Sequence, residues 1–350
     1  MSENEGVEAI PGQPARSHAS SPLAAPTGYD LSSDFNPLAE HTSVLQPAEP
    51  QLFPAHPQLL TSQEDASPLF HTWSYPPQPS HLPRIPHLGD LLILGGLVFI
   101  GWLASDLLTL AALRFHFGGV STLAGANADI RYTLGNQFVF YALTFGGCLL
   151  AFPLFWHKSL LQGIHWNGAT ALKLRRKMFG AATVCFILAL INGMLMPGPD
   201  NTPIDKIFRA PGAAWLLFAF GVTAAPFFEE IVFRGFLLPT MCTAADWVTE
   251  RLRHQPPPPP DANGHPVWSM KAMIFSSIAT SIPFALMHAD QTAHALGPFL
   301  LLVCVSMVLC WARLSTRSLA ASVLVHASYN FLLFTLMLFG TGGFRHLDKM

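Results

Sequence analysis

Two adjacent carboxylates and an arginine lie inside an otherwise apolar stretch. Glu229, Glu230 and Arg234 fall within the run from Ala213 to Leu238. An ionised group in hydrocarbon is costly unless it faces a partner or a wet cavity. Because Glu230 and Arg234 are four residues apart, they share one helix face, and Arg234 can neutralise and orient Glu230. Glu229 points about 100° away around the helix, so we predict that it faces the bundle as a partly desolvated general base.

Two later apolar runs carry further polar groups. His288 closes the segment that begins at Phe284, and alone it would be read as a helix-end or interfacial residue. His326 and Asn330 are four residues apart on one helix face, so their donors can converge on one point. Such a pair could bind the charge that develops on a scissile carbonyl, or belong to a metal site. We predict that these three residues meet Glu229 in a hydrolytic site.

Other interpretations of the same residues stay open at this stage. The carboxylates and the arginine could form an ion-pair network that only fixes helix packing, and His326 with Asn330 could make interhelical hydrogen bonds. Buried Glu and His also form proton relays, but the sequence lacks the internal repeats typical of secondary transporters. It contains no H-E-x-x-H zincin motif and no G-x-S-x-G elbow.

The composition places these residues in a membrane protein. Hydrophobic residues make up 51% of the 350-residue chain and charged residues only 11%, against about 25% charged in soluble domains. The net charge of −2 gives no indication of a nucleic-acid partner, and we expect none. No two of the five cysteines have metal-ligand spacing, so we expect buried, reduced thiols.

The apolar pattern predicts an all-α polytopic membrane bundle of about seven transmembrane helices, with a disordered N-terminal tail. Residues 1–85 are rich in Pro, Ser and His and form the predicted tail, and residues 86–343 form the transmembrane domain with a core at 213–339. The predicted spans are 91–113, 138–156, 178–196, 213–238, 273–287, 297–311 and 319–339. The segment 158–177 carries a basic cluster at 173–177, which suggests a short interfacial helix there. Pro256 to Pro260 suggest a stiff polyproline spacer.

The loops give an expected orientation. With the N-terminus inside, more of the lysines and arginines fall on inner segments than on outer ones, and Arg313 and Arg317 are counted among the inner ones. We therefore expect an integral membrane protein of the bacterial cell membrane with a cytoplasmic N-terminus. Asp106 interrupts the first span, and an interhelical hydrogen bond is its expected role.

Three motifs, in order on successive apolar runs, resemble the CPBP family, also called Abi or CAAX-protease-like. The motifs are Glu229-Glu230-x-x-x-Arg234, Phe284-x-x-x-His288 and His326-x-x-x-Asn330. The resemblance covers Ala213 to Phe339. It implies an intramembrane glutamate-dependent peptidase, built as a bundle of membrane helices around a cavity.

The same resemblance implies a role for each residue. Glu229 would activate the attacking water, His288 would help to hold it, and His326 and Asn330 would stabilise the oxyanion. The remaining two residues of the first motif would support them. The partners implied are the lipid bilayer and a peptide or protein substrate, CAAX-like or otherwise membrane-associated, whose identity stays open. A divalent metal such as zinc is left open as a cofactor.

A different function is also possible for the same residues. A non-catalytic immunity or chaperone-like membrane factor could use the same polar cluster for packing or partner binding.

The predicted spans place Glu229 and His288 at different depths. Either the fourth helix begins after Ala213 or the fifth continues past His288. In the second case Asp290 and His294 would line the cavity.

Overall fold

The computed structural model describes residues 84–196, 208–209, 212–262 and 264–345. All of these belong to the second of two units, Trp73–Met350. The predicted tail lies outside the described residues except for its last two, and so does most of the predicted loop at 197–211.

The described residues form helices and no strands, which confirms the all-α prediction. A 3₁₀ turn at Phe117–Gly119 and a π-helical segment at Ile231–Leu237 interrupt the α-helices. The α-helices are α1 (Leu88–Arg114), α2 (Leu123–Ala128), α3 (Ile130–Trp156), α4 (Leu160–Gly163), α5 (Gly168–Lys173), α6 (Arg175–Leu195), α7 (Ala213–Val222), α8 (Ala224–Glu230), α9 (Leu238–Arg253), α10 (Met270–Met287), α11 (Leu296–Thr316) and α12 (Leu319–Gly340).

Seven helical stretches of the described residues are long and apolar enough to cross a membrane, as predicted. Six are single helices, and the fourth joins α7, α8, the π-helical segment and α9 into 41 residues, Ala213–Arg253. The predicted end of that span at Leu238 was therefore wrong. The polar stretch beyond Leu238 is amphipathic, and such a stretch can remain helical when its apolar face packs against other residues.

Other boundaries also moved. The second span begins at Ile130 rather than Phe138, because Asp129 caps the helix by accepting a hydrogen bond from the N–H of Arg131. The interfacial helix expected at 158–177 is two short helices, α4 and α5, and the first turn of α6.

The first two spans form a pair held by polar contacts. Asp90 completes a capping box with His87 at the start of α1 and accepts a hydrogen bond from the indole of Trp156, at 3.0 Å. Farther along, Asn136 donates to Asp106 at 3.3 Å. The interhelical role expected for Asp106 is thus confirmed.

The π-helical segment lies between two apolar cores. Phe233 belongs to a core that α6, α10, α11 and α12 also build, whereas Ile231 and Phe236 belong to one shared with α1, α3 and α4. A Cβ on Gly235 would lie 3.3 Å from a methyl carbon of Leu319 in α12, so a larger residue would make Leu319 shift slightly. The segment that carries the first motif therefore packs against one apolar core on each of two sides.

Candidate active site

Two prolines bracket the segment that carries the carboxylates. The α-helix breaks at Thr223 and restarts as α8, with Pro226 in its first turn. After Glu230 the chain changes to π-helix, and the N–H of Leu238 donates to the carbonyl of Phe233, five residues back. Pro239 then lies at the start of α9. A π-helical turn inside an α-helix often marks a functional site.

Glu229 lies between two histidines from separate helices. Its Oε2 is 3.8 Å from His288 Nε2 at the end of α10 and 3.9 Å from His326 Nε2 in α12. All three side chains are largely buried. Both separations are longer than a direct hydrogen bond, and Glu229 makes no side-chain hydrogen bond to the described residues. The structure thus brings three of the four predicted site residues together around one carboxylate oxygen.

Glu230 belongs to a different, closed network. It is fully buried, and its Oε1 accepts hydrogen bonds from Arg234 Nη1 at 2.8 Å and from His326 Nδ1 at 3.0 Å. Arg234, also fully buried, donates to Ser306 Oγ at 2.7 Å and to the Ser306 carbonyl at 3.2 Å. His326 therefore has one carboxylate on each ring nitrogen, a close one on Nδ1 and a more distant one on Nε2.

His288 is oriented by the backbone. Its Nδ1 lies 2.8 Å from the carbonyl of Phe284, one turn earlier in α10. Because a carbonyl only accepts, Nδ1 carries a proton, and Nε2 is the ring nitrogen that faces Glu229. The helix ends at Met287 with His288 as its C-cap, so the expectation that it continues past His288 was wrong. The fourth span begins at Ala213, so the alternative of a later start was wrong as well. The span instead continues beyond Leu238 to Arg253, and Glu229 and His288 meet without either of the expected changes.

Asn330 has a partner outside the carboxylate cluster. Its Nδ2 donates to the carbonyl of Gly221 at 2.7 Å. That carbonyl lies in the last turn of α7, where helix carbonyls lack intrahelical donors. Asn330 therefore ties α12 to the helix that precedes the carboxylates, and the amide keeps a second N–H. Its expected part in an oxyanion hole remains a prediction.

Asp290 and His294 do not line the site. They pair with each other at 3.0 Å, and their side chains are 95% and 73% exposed. Because α10 stops at Met287, the chain turns away before reaching them. The expectation that they face the cavity was wrong.

Three residues in contact with the motif were not assigned roles from the sequence. The ring of Phe284 lies under the Arg234 guanidinium, 4.4 Å from Cζ, and contacts both site histidines. Ser306 binds Arg234 as described above. Arg313, counted as an inner-loop residue, is 1% exposed in α11 and donates to the Arg234 carbonyl at 3.2 Å. The four-residue spacing of Phe284 and His288 was the only sequence signal for any of them.

Arg313 also binds the connection between α4 and α5. Its Nη2 donates to the carbonyl of Ile164 at 3.4 Å and to Nδ1 of His165 at 3.0 Å. Burial, together with the positive charge of Arg313, lowers the pKa of His165 to about 3. His265, which contacts the His165 ring edge to face, also has a lowered pKa because of burial and Arg313. His165 is therefore a neutral acceptor for Arg313 at physiological pH.

A cavity of about 150 Å³ adjoins the carboxylate. Apart from Glu229, its walls are mainly apolar side chains from the first two spans and from the segment around the carboxylate pair. These include Leu94, Val98, Phe145, Phe228 and Met287. An apolar group can therefore lie directly beside a carboxylate.

The comparisons with known proteins agree with the motifs. The family model described as type II CAAX prenyl endopeptidase Rce1-like matches residues 211–332. The comparisons with curated proteins and with solved structures found no match. The matched range contains every residue of the three motifs and five of the helices around them. Residues 211–332 of this integral membrane protein are therefore similar to the Rce1-like family of type II CAAX prenyl endopeptidases.

Proposed function

We propose that this chain is an intramembrane endopeptidase in which Glu229 is the general base. One observation carries the proposal: a carboxylate without a direct hydrogen bond lies 3.8 and 3.9 Å from two imidazole nitrogens on other helices. Such separations suit a water molecule held among three polar atoms. A base must reach its proton directly or through one water, and this arrangement meets that requirement.

In the proposed reaction Glu229 and His288 hold the attacking water. The carboxylate accepts one water proton and His288 Nε2 accepts a hydrogen bond from the other, which leaves an oxygen lone pair for the scissile carbonyl carbon. As the C–N bond breaks, protonated Glu229 returns its proton to the leaving amine. The products are a carboxylic acid and an amine, and the base is regenerated.

His326 is placed to stabilise the oxyanion. With Nδ1–H donated to Glu230, a ring that also carries a proton on Nε2 is a cation with a carboxylate on its far side. It can donate Nε2–H to the oxygen of the tetrahedral intermediate, where preorganised donors act most strongly. The second N–H of Asn330, one helical turn away, is the further donor proposed for this oxygen.

The adjoining cavity supports an apolar substrate. Its mainly hydrocarbon walls open beside Glu229, so an apolar side chain or a lipid-modified residue next to the scissile bond could be buried there. A CAAX-like membrane-associated peptide has this chemistry, and the family that matches residues 211–332 is that of type II CAAX prenyl endopeptidases. We therefore assign membrane-associated peptides ending in a CAAX-like sequence as the substrate class.

Metal binding is not supported by the donor groups present. Among the residues that the structure describes, no three His, Cys, Asp or Glu side chains are arranged to hold a metal ion. The proposed steps therefore use only side chains of the site.

The test is cleavage of a fluorogenic peptide that ends in a CAAX tetrapeptide with an S-farnesyl cysteine, in detergent micelles. Glu229→Gln should lower the rate by about 10²–10⁴-fold, the usual contribution of a general base. Asp290→Asn, an exposed carboxylate outside the site, is the matched control and should cleave at the wild-type rate. Unchanged cleavage by Glu229→Gln would eliminate this mechanism. Loss of folded protein instead of rate would favour the non-catalytic packing role.

A further inference from the structure

One backbone carbonyl in the π-helical segment lacks its backbone donor. In the π register set by the bond from Leu238 to Phe233, the carbonyl of Arg234 would accept from residue 239. That residue is Pro239, which has no N–H. A buried carbonyl without a donor costs about 1–3 kcal/mol, so the break in the ladder needs a substitute.

Arg313 supplies the substitute. Its Nε donates to the Arg234 carbonyl at 3.2 Å, while its Nη2 reaches Ile164 and His165 on the α4–α5 connection. The guanidinium is 1% exposed and has no carboxylate partner among the described residues. A buried arginine is expensive without strong acceptors, and its acceptors here are two backbone carbonyls and a neutral imidazole.

The same helix holds both ends of Arg234. Ser306 binds its guanidinium and Arg313 binds its carbonyl, and the two lie seven residues apart, on one face of α11. The guanidinium in turn binds Glu230, which binds His326. A displacement of the π-helical turn would therefore reach both the Glu229 backbone and the His326 ring.

We propose that Arg313 is a positioning residue: it replaces the hydrogen bond that Pro239 cannot give and fixes the π-helical turn that aims Glu229. The proposal rests on the proposed peptidase function for its catalytic readout. Its structural readout is independent of that function.

The structural test is hydrogen–deuterium exchange of peptides covering 231–240, measured on the full chain in detergent. Arg313→Gln should speed exchange there by about threefold or more, while peptides from α1 stay unchanged, because the opening is local. Pro239→Ala restores an N–H at residue 239, so Arg313→Gln/Pro239→Ala should exchange near the wild-type rate. Arg317→Gln, a nearby half-exposed arginine paired with Asp261, is the control and should have no effect.

The kinetic test uses the farnesylated peptide with the same variants. Arg313→Gln should lower kcat by about 10–100-fold, since a misplacement near 1 Å costs about that much, while KM changes less than about twofold. Pro239→Ala alone should stay near wild type, and in the double variant it should restore most of the rate. If Arg313→Gln does not fold, Arg313→Lys is used, and its defect must also be reversed by Pro239→Ala.

The outcomes separate the two proposals. The role of Arg313 is overturned if Arg313→Gln leaves the exchange of residues 231–240 unchanged. It is also overturned if Pro239→Ala does not reverse the faster exchange. If the wild type cleaves no peptide but the exchange changes and is rescued, the peptidase assignment fails and the positioning of the turn stands.

Discussion

Replacing Glu230 with glutamine is expected to destabilise the protein, whereas the same change at Glu229 is expected to leave it folded but inactive. The two residues are neighbours in sequence and chemically identical. Glu230 is fully buried and accepts bonds of 2.8 and 3.0 Å from Arg234 and His326. Glu229 makes no side-chain hydrogen bond to the described residues, and the nearest imidazole nitrogens are 3.8 and 3.9 Å away.

The magnitudes follow from these contacts. Removing the charge of Glu230 leaves the Arg234 guanidinium buried without its counter-ion, which typically costs about 3–5 kcal/mol of unfolding free energy. At Glu229 no comparable bond is lost, so the change should stay within about 0.5 kcal/mol. The expected difference between the two variants is therefore about 2.5 kcal/mol or more, a factor of roughly 70 or more in the folding equilibrium constant.

The assay is unfolding by SDS titration in mixed micelles, followed by near-UV circular dichroism. Arg234→Met provides the second side of a double-mutant cycle with Glu230→Gln. The pair should be less destabilising than the sum of the single variants, with a coupling of about 0.5–3 kcal/mol. Equal stability of the two glutamine variants, or strict additivity in the cycle, would refute the division of labour between the carboxylates.

Two further predictions concern pH and metal ions. Burial and Arg313 hold the pKa of His165 at about 3 in the folded chain, while the unfolded chain titrates near 6.5. The contribution of this group to the free energy of unfolding should be fully present above about pH 6.5. It should fall by at most about 1.4 kcal/mol per pH unit as the pH is lowered toward about 3. His165→Gln should flatten that slope in SDS titrations at pH 7.5 and 5. Peptide cleavage should survive dialysis against EDTA, because the described side chains form no metal-holding group; lost activity that zinc restores would contradict this.

Hydropathy was sufficient to predict the seven spans, because a membrane crossing needs about 20 apolar residues. It could not predict the extension of the fourth span to Arg253. Their high charge makes the residues Glu250, Arg251 and Arg253 resemble a loop in the sequence. An amphipathic helix can carry such residues on its polar face while its apolar face packs against the protein.

The candidate site was predictable in its residue types more than in its connections. The spacing of Glu230 and Arg234 gave the ion pair that the structure contains, since both lie on one helical face. That the same carboxylate also binds His326, 96 residues away, depends on how α8 and α12 pack. Arg313 was missed because a charge near a span end reads as a loop residue, and only tertiary structure reveals its burial.

The fourth span also determines how far into the bilayer the chemistry takes place. Trp215, half-exposed near its start, is of the type that anchors a helix in the headgroup layer. Glu229 follows fourteen residues later, about 21 Å along a helix that rises about 1.5 Å per residue. The hydrocarbon layer is about 30 Å thick, so this count would place the carboxylate past the midplane, about 9 Å from the far edge of the layer. A water molecule arriving from that side would cross about 9 Å of hydrocarbon before it reached Glu229, the proposed base.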